Sequence, residues 1–145
     1  MKISTRTRYG MRALIDIKIN SGKGPVLLKD IARRQDISFK YLDHIITSLK
    51  VAGLVKNAGG RHGGYILKRD ASDIYAYEVI DAMEGSLSLV ECTEYTGNCG
   101  RSADCVLCLM YGRARDALKE SFNISVEELA KRQEKIYAKK KRRKH

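Results

Sequence analysis

The sequence predicts a mainly α-helical fold with one small β-hairpin, and three observations support this prediction. Apolar residues recur at helical spacing in six segments of the chain. Two short apolar runs flank a glycine-rich loop, as the strands of a hairpin do. In addition, 43% of the 145 residues are hydrophobic, which is enough for one domain with a real core.

Charge is distributed unevenly along the chain. Residues 1–69 contain 15 lysines and arginines against 4 acidic residues, whereas residues 70–138 contain 7 against 13. The formal net charge is +11, and six of the last seven residues are basic. This segregation indicates a polyanionic partner for the first half of the chain. A merely solubilising surface would explain the excess of charge but not its segregation.

The first helix is predicted over residues 5–20, with Thr5 as its N-cap. Its apolar face comprises Tyr9, Ala13, Leu14 and Ile17. Three arginines on other faces of its early turns could reach DNA phosphates, although an ordinary solvated face explains each of them about as well. These are Arg6, Arg8 and Arg12.

A helix-turn-helix is predicted next. Residues 28–35 form a short helix, residues 36–37 a tight turn, and residues 39–51 a second helix that Ser38 caps. The second helix of this motif enters the major groove with its N-terminus first. A bare three-helix core is the alternative interpretation. The motif would place the following residues near DNA: Ser38, Phe39, Lys40, Tyr41, Asp43 and His44.

A hairpin follows, with strands over residues 54–56 and 65–67 and a loop that contains four glycines. A hairpin after a helix-turn-helix is a wing, and Arg61 at its tip suits the negative potential of a minor groove. A phosphate-cradling loop is a weaker interpretation, because no helix N-terminus with Lys-Ser/Thr follows. The wing residues predicted to lie at DNA are Arg61, His62, Gly63, Gly64 and Tyr65.

All four cysteines lie within seventeen residues, at Cys92, Cys99, Cys105 and Cys108. The sequence shows no signal peptide and no apolar run of membrane-spanning length, so we expect a cytoplasmic protein with reduced thiols. Cysteine thiolates bind zinc or iron–sulfur clusters, and the spacing alone favours neither. A disulfide switch is the third interpretation. The last two cysteines stand at the start of a predicted helix, which Asp104 could cap and whose positive end favours thiolates.

Three further helices are predicted in the second half. The first covers residues 76–83, the second covers residues 106–122, and the third begins after Ser125, where Glu128 completes a capping box. The N-terminal module closes its own small core, so the apolar stripe of helix 106–122 is predicted to pair with a second copy of the chain. That stripe comprises Leu107, Met110, Ala114, Ala117, Leu118 and Phe122.

Several motifs together support a resemblance to a known family. They are Ser4–Tyr9, Leu28–Ala32, Ile37–Leu42, Ala52–Val55, Gly63–Tyr65 and the cysteine stretch Cys92–Cys108. Over residues 1–136 the chain resembles the IscR/NsrR family of bacterial winged-helix transcription regulators, most closely its iron–sulfur cluster regulators. The resemblance implies a homodimer that binds a palindromic promoter site and senses iron–sulfur status.

The resemblance also implies how such a regulator would work. It implies a DNA-binding regulator, mostly a repressor, whose DNA binding is controlled by an iron–sulfur cluster on four cysteines. A 2Fe–2S cluster is favoured and a 4Fe–4S cluster is the alternative, because Cys108 stands where the iron–sulfur regulators that the chain resembles have a histidine ligand. A zinc-stabilised regulator and a thiol-redox-switched regulator are also compatible with these residues, and an electron-transfer protein is less favoured. No enzyme is predicted, because no paired carboxylates, nucleophile–base set or nucleotide loop can be placed.

The predicted organisation has three parts. A winged helix-turn-helix DNA-binding module covers residues 1–70, and the cluster-binding loop with a long dimerisation helix covers residues 71–136. Residues 137–145 are predicted to be a disordered basic tail. The predicted partners are double-stranded DNA and a second copy of the chain, with no membrane.

Overall fold

The computed structural model describes residues 2–95, 97 and 99–144, and in that part it shows six α-helices and a two-stranded antiparallel sheet. The elements are α1 (Thr5–Asn20), α2 (Leu28–Gln35), α3 (Phe39–Val51), β1 (Val55–Asn57), β2 (Tyr65–Leu67), α4 (Ala76–Glu84), α5 (Val106–Ser121) and α6 (Val126–Arg143). The predicted mainly α-helical fold with a β-hairpin wing is confirmed. No described helix is long and apolar enough to cross a membrane.

The start of α1 differs by one residue from the predicted cap. Ser4 has an extended backbone, and its Oγ accepts a hydrogen bond from the backbone N–H of Thr7 at 3.2 Å. Thr5 is already helical, so the prediction that Thr5 caps this helix was wrong. The hydroxyl that can reach the free amides of a first turn belongs to the residue just before the helix.

One buried core unites α1, α2, α3 and the wing. Leu14 and Ile17 of α1 and Leu42 and Ile46 of α3 are fully inaccessible to solvent. The same core includes Ile74, Val79 and Val126 from the second half of the chain. The buried core therefore continues past residue 70, so the boundary predicted there does not divide the described residues into two separate cores.

The wing is a short hairpin that is tied back to the body of the protein. Val55 pairs with Leu67 and Asn57 with Tyr65, so β1 begins one residue later than predicted. Tyr65 also exchanges two backbone hydrogen bonds with Val26, of 2.8 and 3.0 Å. The segment before α2 thus adds a third short strand-like partner, which the sequence pattern did not predict.

The last helix is longer than predicted. Ser125 caps α6 by accepting a hydrogen bond from the N–H of Glu128 at 3.2 Å, as expected. The helix then continues to Arg143, so the prediction of disorder for residues 137–145 was wrong as far as residue 143. Lysine and arginine are good helix formers, and positive charge is favourable near a helix C-terminus. His145 and Met1 lie outside the described residues.

Candidate DNA-binding face and cysteine site

The N-terminal turn of α3 presents an exposed surface that a tight turn holds in place. Asp36 adopts the left-handed conformation (φ 53°), and the N–H of buried Ile37 donates to Ala32 O at 3.0 Å. Ser38 Oγ then accepts from the N–H of Tyr41 at 3.3 Å, which confirms Ser38 as the cap. The structure brings together on this exposed surface the predicted residues Ser38, Phe39, Lys40, Tyr41, Asp43 and His44.

The side chain of Tyr41 is positioned by α1. Its ring meets that of Tyr9 edge-on, with 5.9 Å between centroids and an interplanar angle of 72°. The Arg12 guanidinium lies over the other ring, 5.1 Å from the centroid of Tyr9, and its Nε donates to Gln35 Oε1 at 3.0 Å. Tyr9 therefore packs against the core and also positions the Tyr41 side chain. This contact was not predicted, because helical periodicity identifies only the buried face of a helix.

A buried carboxylate on α1, that of Asp16, binds the end of α2, including Gln35, which also contacts Arg12. Asp16 is only 3% exposed and accepts from Arg34 Nη2 at 2.6 Å and from Arg34 Nε at 3.0 Å. Gln35 Nε2 donates to the same carboxylate at 2.9 Å. The hydrogen bond to Asp16 raises the pKa of Arg34. The sequence signal for this network is Asp16, an acidic residue inside the apolar run 13–17. The network itself was not predicted.

The wing tip is exposed and its base is packed. Arg61 and His62 are exposed at the tip, as predicted. Gly64 lies at the base with φ 103°, where an added Cβ would come within 2.9 Å of Pro25 Cβ. The geometry therefore gives Gly64 and Tyr65 a structural role in docking the wing, and any role at DNA stays a prediction for them and for Gly63.

The two predicted arginines at the start of α1 point to different neighbours. The Arg6 guanidinium donates to Ser48 Oγ on α3. Arg8 Nη2 donates to Thr5 Oγ1 at 2.9 Å, and Arg8 also borders an apolar groove between α1, α4 and α6. Of the pair, the structure brings only Arg6 into contact with α3.

The four cysteines lie on the segment that leads into α5. Cys92 is in a 3₁₀ turn, Cys99 is exposed, Cys105 is the N-cap of α5 and Cys108 is in its first turn. The thiol of Cys108 donates to the carbonyl oxygen of Cys92 at 3.5 Å. The structure therefore brings the first and last cysteines together, although they are sixteen residues apart in sequence.

The capping residue of α5 differs from the prediction. Asp104 belongs to a preceding 3₁₀ turn, and Cys105, which makes no side-chain capping bond, takes the N-cap position. The amides at the start of α5 therefore keep their capacity to donate toward an anion or a thiolate.

The chemistry of the four cysteines fits a soft metal centre. All four are free thiols, and partial burial raises the pKa of the Cys92 thiol, with further contributions from the neighbouring Cys108 and Cys99. A thiol that burial and neighbouring cysteines keep protonated favours a cation that would stabilise its thiolate. Among the described residues no three Cys, His, Asp or Glu side chains are gathered at metal-binding distance, so binding would require Cys99 and Cys105 to close in.

Helix α5 stands away from the core. It has no buried residue, and its first turns expose Val106 (74%) and Leu109 (69%) together with Leu107 and Met110. Elsewhere on the chain an apolar groove of about 350 Å³ lies between α1, α4 and α6. Its apolar lining includes Ile3, Met11, Ile80, Phe122, Ile124 and Leu129.

A helix-turn-helix followed by a two-stranded hairpin defines a winged-helix DNA-binding protein. Residues 3–132 match the model of the Rrf2 family, described as an iron-dependent transcriptional regulator. The chain belongs to the Rrf2 family. The resemblance drawn from the sequence motifs is thereby confirmed.

Two curated relatives match most of the chain. The chain is 42% identical over 123 residues to protein rrf2 of Nitratidesulfovibrio vulgaris, covering 85% of this chain and 82% of the relative. It is 36% identical over 135 residues to the HTH-type transcriptional regulator IscR of Escherichia coli K12, covering 92% and 83%.

Solved structures agree with the sequence relatives. T. potens IscR is 32% identical with a TM-score of 0.73, covering 94% of this chain and 90% of that one. CymR, the global cysteine regulator of B. subtilis, is 35% identical with a TM-score of 0.72, covering 90% and 97%. The chain is therefore a transcriptional regulator of the Rrf2/IscR family and not an enzyme, as predicted.

Proposed function

We propose that this regulator, acting mostly as a repressor, has its DNA binding controlled by an iron–sulfur cluster on Cys92, Cys99, Cys105 and Cys108. The observation that carries this proposal is the contact of the Cys108 thiol with Cys92 O, which joins a loop turn to the first turn of α5. Arg115 of α5 also donates to the carbonyl of Thr93 in that turn. A change at the cysteines would therefore act directly on the placement of α5.

The ligand chemistry supports a cluster. Thiolates are the usual ligands of 2Fe–2S and 4Fe–4S clusters, and four thiolates complete either one. Cys105 and Cys108 stand at the N-terminal end of α5, where the helix dipole favours negative charge. When bound, the cluster would supply a redox-active, oxygen-labile signal. We favour 2Fe–2S, with 4Fe–4S as the alternative and zinc as the non-redox alternative.

The test is anaerobic reconstitution of the full chain with iron and sulfide, followed by metal analysis and a visible spectrum. Iron–sulfur charge transfer gives coloured bands, whereas zinc is colourless. Two irons per chain would support 2Fe–2S and four would support 4Fe–4S. Cys108→Ala should lose most of the cluster on gel filtration in air, while Ser102→Ala on the same segment should keep it. A colourless wild-type protein that retains zinc would overturn the cluster.

A thiol switch is the second candidate, and the proximity of Cys92 to Cys108 favours it. One structural neighbour is an oxidised form of Staphylococcus aureus CymR, 30% identical with a TM-score of 0.68. The raised pKa of Cys92 argues against this candidate, because the thiolate is the reactive species. Peroxide treatment of the metal-free protein decides it: a Cys92–Cys108 disulfide that also changes DNA affinity would support the switch.

We further propose which residues contact DNA. The N-terminal turn of α3 would enter the major groove and the wing tip the minor groove, with Arg6 and Arg8 reaching phosphates. Arg61→Ala should weaken specific binding by about 1–3 kcal/mol if Arg61 contacts bases. Arg113→Ala removes an exposed arginine from α5 and is the control. Equal effects of both substitutions on affinity and salt dependence would remove Arg61 from the interface.

A homodimer that reads a palindromic site in the cytoplasm completes the proposal. The exposed apolar turns of α5 and the apolar groove beside Arg8 are two surfaces that water disfavours and that a second copy could cover. Light scattering should give twice the chain mass of 16.3 kDa. Leu109→Asp should give a monomer, whereas Val51→Asp, at an 86% exposed position of α3, should not. If the wild-type protein is helical but monomeric at micromolar concentration, the proposed dimer is wrong.

A further inference from the structure

The basic run at the end of the chain is an ordered part of α6. Residues 139–143 are helical and Lys144 is the C-cap, and all six of Lys139, Lys140, Lys141, Arg142, Arg143 and Lys144 are exposed. An ordered helix holds its charges in fixed positions, unlike a flexible tail. The six charges therefore form a surface with a definite place on the protein, which we call the α6 basic end.

The position of α6 places this basic end near the helix-turn-helix. The helix starts beside α1, where Lys18 Nζ lies 2.6 Å from Glu127 Oε2. Farther along, Tyr137 lines a cavity of about 340 Å³ together with Arg34 and Gln35, the last two residues of α2. The basic end thus begins two residues beyond Tyr137, which shares this cavity with the end of α2, and α2 leads directly into the turn before Ser38.

In the described part of the chain, the acidic residues of α6 that form ion pairs do so with other basic residues and not with the basic end. The acidic partners on α6 are Glu127 and Glu128, and they pair with Lys18, Lys131 and Arg132. No ion pair found among the described residues includes residues 139–144. The last acidic residue of the sequence is Glu134. Six exposed positive charges concentrated at one end of a helix attract a polyanion.

We propose that the α6 basic end is a second phosphate-binding element, which contacts the DNA backbone beside the segment read by α3. This inference rests on the proposed DNA contacts. Residues 139–144 span about 9 Å along the helix axis, over which the two strands of a duplex together present about five phosphates. Lysine and arginine spaced three and four apart face the same side of the helix, so two or three of the six can reach one strand together.

The test is fluorescence anisotropy with a 30-base-pair duplex of mixed sequence and the full-length protein, over a range of salt concentrations. The variant is Lys139→Gln, Lys140→Gln and Lys141→Gln combined. Glutamine preserves helix propensity. The matched control, Lys131→Gln, Arg132→Gln and Lys135→Gln combined, removes three charges from the earlier part of the same helix. If two of the variant's lysines contact phosphates, the salt slope should fall by about 2 and affinity at 0.15 M salt by about 30-fold.

Two further measurements separate the outcomes. Ala138→Pro keeps every charge but breaks α6 before the basic end, and it should lower duplex affinity if the position of the charges matters. Variant and control with equal affinities and slopes would overturn the inference, as would an unchanged Ala138→Pro protein. Loss of binding to anionic vesicles or single-stranded RNA, with duplex affinity intact, would also overturn it. A wild-type protein that binds no duplex would instead refute the proposed DNA contacts themselves.

Discussion

The helices of the buried core and helix α5 use apolar side chains in opposite ways. In the first half α1 and α3 bury their apolar faces completely, with Leu14, Leu42 and Ile46 inaccessible to solvent. In the second half α5 has no fully buried residue and exposes the apolar side chains of its first turns, among them Val106 and Leu109. The core helices, α4 and α6 of the second half included, pack into one buried core, whereas α5 leaves apolar surface exposed.

This contrast has a functional consequence. A rigid module can present the N-terminal turn of α3 at a fixed angle to DNA, because Tyr41 rests on Tyr9 and the turn is hydrogen-bonded. A weakly supported segment can change its placement for a small free energy. Coupling of about 1–3 kcal/mol is enough for regulation, and a loop that lacks buried contacts can supply such a change.

The largest expected effect tests the contrast directly. Leu14→Ala in the buried core should lower the free energy of unfolding by about 3 kcal/mol, because it removes buried methyl groups and leaves a cavity. Leu109→Ala, at a 69% exposed position, should change the unfolding of the monomer by less than about 0.5 kcal/mol. Urea denaturation at two protein concentrations measures both. Equal losses that do not depend on concentration would show that α5 belongs to the core.

The next effect concerns the wing, whose base packs against the buried core. Gly64→Ala should cost about 2.5 kcal/mol, because the new methyl group meets Pro25 at a positive φ. Gly60→Ala, also at positive φ but with open space around it, should cost only about 1 kcal/mol. The difference between the two measures the docking contact. Identical thermal denaturation of the two variants would mean that the wing base can shift away from Pro25.

A third effect probes the polar anchor below α3. Arg34→Leu should lower the free energy of unfolding by about 2 kcal/mol, since it leaves the buried Asp16 carboxylate without its main partner. The adjacent Arg33→Leu should cost less than about 0.5 kcal/mol, because Arg33 is exposed and lies 3.5 Å from Asp30. Chemical denaturation of both variants measures how much the network contributes to the free energy of unfolding. A larger loss for Arg33→Leu would contradict it.

The features that were predicted correctly from the sequence depend on neighbouring residues only. The bounds of α2 and α3, the Ser38 cap and the position of the wing follow from periodicity, capping and glycine, and the structure agrees with them. The missed contacts join residues far apart in sequence, such as Gly64 with Pro25 and Asp16 with Arg34. The periodicity of a single helix or strand contains no information about such pairs. The helical order of residues 137–143 was missed for a different reason. The basic run 139–144 has no apolar residue and was therefore expected to be disordered, although positive charge is favourable at a helix C-terminus.

The smallest effect lies at the junction of the two halves, at Glu84. This last residue of α4 accepts hydrogen bonds from Thr7 Oγ1 and from the N–H of Ser4 at 2.7 Å, and so joins α4 to the start of α1. These bonds, first that from Thr7 and then those from Ser4, lower the pKa of Glu84. The carboxylate is also favourable there because it faces the positive end of α1.

A carboxyl group whose pKa is lowered by folding stabilises the folded state above its ordinary pKa, here 4.5, and loses that contribution as the pH falls through the lowered value. Glu84→Gln should therefore lower the free energy of unfolding at pH 7 by less than about 1 kcal/mol, since the site is exposed. The difference from wild type should shrink at pH values below 4.5. Urea denaturation from pH 7 downward measures it, with Glu134→Gln on the exposed side of α6 as the control. A constant difference at all pH values would mean that the hydrogen bonds, and not the charge, hold the two halves together at this junction.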